Sequence, residues 1–153
     1  MLKISQKTEY ALRAMIQLAG QTEGALLSAR EISESQRIPL RFLEQQLGSL
    51  SKAGLVESFR GAGGGCRLAR GAAEVTVADV VDAIEGPFYP MFCLDPTDHT
   101  CWQESRCGLQ DLWGDVRVAV RAVFERITLA ELAQRQRRLT QPVISPDELL
   151  ARG

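Results

Sequence analysis

Cys93, Cys101 and Cys107 stand in a C-x7-C-x5-C array, and a fourth cysteine, Cys66, lies apart from them. Thiolates are soft donors, so three on one stretch of chain suit a soft metal centre, with iron–sulfur clusters as the leading candidates. The unequal spacing excludes the paired C-x2-C knuckles of common zinc sites. Buried or incidental thiols are the plainer alternative. His99, the only histidine, falls between Cys93 and Cys101. With a single histidine, no Ser/His/Asp set and no cofactor fingerprint, the chain offers little general acid–base chemistry, so an enzyme is not expected. Structural disulfides belong mainly to exported proteins. Here Met1-Leu2-Lys3-Ile4-Ser5 runs into amphipathic sequence without an apolar signal core, and no stretch approaches the roughly 20 apolar residues of a membrane span. The expectation is a soluble, cytoplasmic protein without membrane contact, whose cysteines bind metal or undergo redox change.

The elements that must position these groups can be read from periodicity. The 153 residues, 45% hydrophobic and 24% charged, suffice for one domain with its own core. Across 8–19, Ala11, Met15 and Leu18 line one stripe with Leu12, Ile16 and Ala19 beside it, predicting an amphipathic helix. Ser28-Ala29-Arg30-Glu31 is a capping box opening a short second helix. Pro39 suits the first turn of a third, whose buried face is Leu40, Leu43, Leu47 and Leu50 and which Gly54 is placed to end. Residues 55–59 and 66–69 read as strands around Arg60-Gly61-Ala62-Gly63-Gly64-Gly65, a hairpin with a flexible tip. That glycine run lacks the following G-K-[ST] of a phosphate-cradling loop. Thr76-Val77-Ala78-Asp79 starts a fourth helix, stopped by Gly86-Pro87.

Periodicity then fails across 88–106, where Pro90 and Pro96 interrupt and close to which the three cysteines of the array fall; a loop this long in a small domain usually has a function. Beyond it Leu109, Trp113, Val116, Val120, Val123 and Ile127 alternate steps of four and three, one seam along a helix that calls for a partner helix. Thr128-Leu129-Ala130-Glu131 opens a last helix, and a loose tail begins near Pro142.

Charge divides along the same line. Residues 1–70 carry ten Lys/Arg against six Asp/Glu and are +4, whereas 71–153 carry eight against thirteen and are −5, hidden within a chain total of −1. Only the front half is suited to a polyanion. Three helices followed by a β-hairpin is the order of a winged helix-turn-helix, in which the third helix enters the major groove. Arg41, Glu44 and Gln45 lie off the buried stripe of that helix. There Arg reads guanine, Gln reads adenine, and Glu accepts from cytosine although it repels phosphate. Arg60 and Gly61 open the wing tip, where Arg60 would enter the minor groove or hold a phosphate.

Tyr10-Ala11-Leu12-Arg13-Ala14-Met15, Phe42-Leu43-Glu44-Gln45, Lys52-Ala53-Gly54-Leu55-Val56 and Arg60-Gly61-Ala62-Gly63-Gly64-Gly65 together resemble the Rrf-two family of bacterial transcription regulators, over nearly the whole chain from Met1 to about Leu139. The resemblance implies a mainly α fold with a small β-hairpin wing, a winged helix-turn-helix plus a long dimerisation helix. It places the DNA-binding domain at 1–85, a cluster-binding loop at 86–107, the dimerisation and C-terminal helices at 108–140 and a tail at 141–153. It further implies a homodimer on a double-stranded DNA operator, most simply a repressor, sensing redox state, nitric oxide or iron through an iron–sulfur cluster. The metal ligands would be Cys93, Cys101, Cys107 and, from the partner's first helix, Glu9. The cysteine spacing is closer to the NsrR-like branch than to the IscR-like one, which favours 4Fe-4S and leaves 2Fe-2S open. Where IscR-like members carry a histidine three residues after the last cysteine, this chain has Gln110, so Glu9 leads, with His99 and Gln110 as rivals. Cys66, on the wing where IscR-like members have an aromatic residue, reads as a small apolar filler. The alternatives are a cluster-free thiol-redox regulator of the same fold and, from another class, a cluster-carrying redox protein that does not bind DNA.

Overall fold

The computed structural model describes residues 4–98, 100–103 and 106–140. His99 and the tail expected from 141 lie outside the described residues.

Helix α1 (Gln6–Ala19) starts where the Ser5 hydroxyl accepts from the Thr8 amide, and it buries Thr8, Ala11, Ala14, Met15 and Leu18. Its small residues, Ala11 and Ala14, let neighbours approach closely. Helix α2 (Ala29–Gln36) opens with the expected box: Ser28 Oγ accepts from the Glu31 amide and the Glu31 carboxylate from the Ser28 amide. Arg37 then turns the chain with φ 52° and ψ 46°, a left-handed conformation rare for a side chain of this size. Helix α3 (Leu40–Lys52) follows, with Leu43, Gln46, Leu47 and Leu50 inward. Pro39 is its capping residue rather than part of the first turn, because ψ 126° is not helical.

Strands β1 (Val56–Phe59) and β2 (Gly65–Leu68) pair antiparallel, Val56 opposite Leu68 and Phe59 opposite Gly65. The hairpin is fastened to the body by a bridge between Leu27 and Cys66, with N···O distances of 3.0 and 2.8 Å. The approach is so close that a Cβ on Gly65 would lie 2.7 Å from the Leu27 carbonyl oxygen. Helix α4 (Val77–Glu85) carries the second expected box, Thr76 with Asp79, and buries Val77, Ala78, Val80 and Val81.

From Gly86 the chain is irregular, apart from a 3-10 turn at Phe92–Leu94, until α5 (Gln110–Arg126). None of the 17 residues of α5 is fully buried. The expected seam is only partly covered: Trp113, Val116, Val120 and Ile127 are half-buried, while Leu109 and Val123 are exposed. What α5 uses within its own chain is a neighbouring face. The Arg121 guanidinium donates to both carboxylate oxygens of Asp82 at 2.8 and 2.7 Å, Phe124 meets Phe88 edge-on at 6.3 Å, and Arg117 stacks on Tyr89 at 4.7 Å. Leu112, Ala119 and Val123 stay uncovered.

Helix α6 (Leu129–Thr140) returns to pack on α1 and places Leu129 and Ala133 in the core. Its start is stitched to the segment before α4: Val77 N–H donates to Ile127, Leu129 N–H to Val75 and Ala130 N–H to Ala72, at 2.9 to 3.0 Å. Among the described residues, no helix is long and apolar enough to cross a membrane.

Candidate nucleic-acid interface and candidate metal centre

The inward stripe of α3 decides what its other face presents. With Leu43, Leu47 and Leu50 anchored in the core, Arg41, Glu44 and Gln45 are all exposed, as the helical spacing requires. Arg41 lies in the first turn of α3, the end that reaches base edges in a helix-turn-helix. Arg60 and Gly61 begin the wing tip, both exposed, and φ 103° at Gly61 is open only to glycine without strain. The hairpin behind them is stiffened by an Arg67–Glu57 ion pair at 3.0 Å and by Arg67 over the Phe59 ring at 4.9 Å. Among the described residues, neither Arg41 nor Arg60 has an acidic partner, so both charges are free to meet a polyanion.

The cysteines divide by environment. Cys66 is 4% exposed and its thiol donates to the Leu27 carbonyl at 3.3 Å. Desolvation pushes it up to about 11, which makes it inert filler, as expected. Cys93, in the 3-10 turn, and Cys101 and Cys107 beyond it are half-buried free thiols. Among the described residues, no group of three or more His, Cys, Asp or Glu is gathered closely enough to hold a metal ion. As a donor set, three accessible thiols fit an iron–sulfur centre. In the single chain they do not converge. Several of the loop's hydrogen bonds are local: the amide and hydroxyl of Thr97 donate to Asp95, and those of Thr100 to Asp98.

Glu9, in the first turn of α1, is exposed and faces Arg13 at 3.8 Å; it is not gathered with the thiols of its own chain. Gln110 is the first residue of α5. Two arrangements around Glu9 escaped the sequence reading. Arg13 also donates to the carbonyl of Gln36, the last residue of α2, so one guanidinium spans Glu9 and the turn into α3. Its i,i+4 spacing from Glu9 was a visible signal; its reach to a backbone oxygen 23 residues on was not. At the same end of α1, the Ser5 and Thr8 hydroxyls both donate to Glu85 Oε1, which holds that carboxyl below its ordinary range and ties the start of α1 to the end of α4, where the cysteine loop begins.

A family model described as Rrf2, iron-dependent transcriptional regulator, matches residues 4–135. The chain belongs to the Rrf2 family. It is 36% identical to the HTH-type transcriptional regulator IscR of Vibrio atlanticus, across 86% of this chain and 75% of that one. It is 31% identical to the regulator NsrR of Bacillus subtilis, across 87% and 91%. The structure of CymR, the global cysteine regulator of B. subtilis, superposes with a TM-score of 0.73 at 35% identity, across 88% and 98%. This Rrf2 chain is therefore a transcriptional regulator with a DNA-binding winged helix, and the relatives it matches are named as regulators, not enzymes.

Proposed function

We propose that the protein is a homodimeric repressor that reads an operator with Arg41, Glu44 and Gln45 on α3 and Arg60 and Gly61 on the wing, and that its DNA affinity follows the state of the cysteine loop. Cys93, Cys101 and Cys107 would hold an iron–sulfur cluster, 4Fe-4S before 2Fe-2S, with Glu9 of a second copy as the fourth ligand. When bound, such a cluster supplies sensitivity to nitric oxide, oxygen or loss of iron.

One observation carries the reading: Arg13 bridges Glu9 and the Gln36 carbonyl. A carboxylate is a hard ligand, held on iron more weakly than a thiolate, so Glu9 would be the most labile of the four donors. A Glu9 engaged elsewhere withdraws its charge from Arg13; a released Glu9 restores it. Arg13 in turn holds the last carbonyl of α2, four residues before α3 begins. A shift there moves the reading helix, and a dimer measures the spacing of two such helices.

A second reading, the cluster-free thiol-redox regulator, is favoured by the unconverged thiols of the single chain. Anaerobic preparation of wild type beside Glu9→Ala, with DNA titrations before and after nitric oxide, separates the two. A brown wild type whose DNA affinity changes with nitric oxide, and whose spectrum changes in Glu9→Ala, supports the first. A colourless, iron-free protein that binds DNA according to thiol oxidation supports the second. Operator binding that is identical with and without cluster defeats the first.

A further inference from the structure

Resting on the DNA-binding reading, we propose that the C-terminal end of α6 is a further DNA contact, with Arg137 and Arg138 holding backbone phosphates beside the turn into the recognition helix. After Glu131, the rest of α6 carries three arginines and no acid, in a chain whose net charge is −1. Arg135 is within the field of Glu131 and helps to hold that carboxyl low. Arg137 and Arg138 are exposed and, among the described residues, belong to no ion pair.

Their position gives the charge a target. A cleft of about 300 Å3 has Gln136, Arg137 and Thr140 of α6 on one side and Arg13 and Gln36 on the other. Gln36 is followed directly by Arg37, exposed and unpaired among the described residues, in the left-handed turn that precedes α3; Arg41, four residues further on, is the second residue of α3. The end of α6 thus borders the turn before the end of α3 that approaches base edges. A duplex seated on α3 brings its phosphates, one charge per roughly 1.7 Å of axis, past this corner. Basic residues in a last turn also complement the helix dipole. That role is complete without DNA and leaves DNA affinity unchanged, so the two readings separate by experiment.

The test uses the full chain and a duplex of about 40 base pairs selected from a random library on the wild-type protein, longer than two half-sites one helical turn apart. Arg137→Gln/Arg138→Gln should weaken binding roughly tenfold at physiological salt and lower the slope of log affinity against log salt by about two per bound protomer. The loss should be equal on selected and scrambled duplexes, because phosphate contacts carry no sequence. Arg137→Lys/Arg138→Lys should keep the slope, Arg138→Gln alone should lose about half as much, and Arg135→Gln should lose least. An unchanged slope in a double glutamine variant with wild-type circular dichroism overturns the proposal. If the double variant does not fold, an unchanged slope in Arg138→Gln does so. Should wild type enrich no duplex at all, the DNA-binding reading itself fails; a wild type that binds beside indifferent variants removes only α6.

Discussion

The body made of α1 to α4, the wing and α6 differs sharply from the segment between α4 and the end of α5. The body closes on itself: Met15, Ile32, Ile38, Leu43, Leu50 and Leu129 are at most 2% exposed, and the starts of α2 and α4 are capped on both sides. Among the described residues, the loop and α5 bury none completely, hold Trp102 at 88% exposure, and leave Leu109, Leu112 and Val123 in water. Physically, one region is finished by its own sequence, while the other carries more apolar surface and more uncommitted thiols than a single chain uses.

The largest test of that contrast is truncation in each region. Leu43→Ala should cost about 2–5 kcal/mol in urea unfolding, whereas Leu112→Ala, already half in water, should cost less than about 1 kcal/mol in the monomer. A comparable loss at both positions, growing with protein concentration, would show α5 covered by a second copy. Thiol labelling sharpens the contrast next. With its thiol pushed up to about 11, Cys66 at pH 8 has roughly one molecule in a thousand as thiolate and should resist iodoacetamide until the body unfolds, while metal-free Cys93, Cys101 and Cys107 react in the folded state. Arg41→Ala or Arg60→Ala should weaken operator binding by about 1–3 kcal/mol with an unchanged melting temperature, since both side chains are exposed. If neither alters binding, the groove assignment is wrong.

The smallest effect lies at the joint between the regions. The Glu85 carboxyl titrates below its ordinary range because Ser5 and Thr8 donate to it, so the unfolded chain binds its proton more readily. Its contribution is present above the ordinary glutamate value, about 4.3, and is lost as pH falls through the lower folded value. Glu85→Gln should flatten that part of the acid limb in thermal melts recorded from neutral pH downward, and a limb of unchanged slope would remove the joint.

What was legible from residue order follows from the range of each interaction. The capping boxes at Ser28 and Thr76, the inward leucines of α3 and the outward Arg41, Glu44 and Gln45 depend on neighbours within a few positions, and local spacing reports them. Softness is a property of the residue, so the cysteine array reports a donor type, but whether three thiols meet depends on atoms far apart in the chain, and in the single chain they do not. The left-handed Arg37 was not, since no rule of composition puts arginine where glycine is preferred. Nor was the split of α5, whose 4-3 seam is only partly covered because Arg117, Arg121 and Phe124 turn a neighbouring face toward α4 and the segment at 88–89. The reach of Arg13 to Gln36 and the stitching of α6 to residues 72–77 join positions 23 to 58 apart, beyond any local pattern.

That stitching has a mechanical corollary. Since Val77 bonds to Ile127, the start of α4 and the end of α5 share one root, and the segment carrying Cys93, Cys101 and Cys107 joins their other ends, of which the α4 end is pinned to α1 through Glu85. Doubling the length of a flexible loop adds only about 0.6 kcal/mol of closure cost, so that segment can be lengthened, trimmed or exchanged while both its anchors stay put. The same chassis can thereby accept a different sensor without being rebuilt.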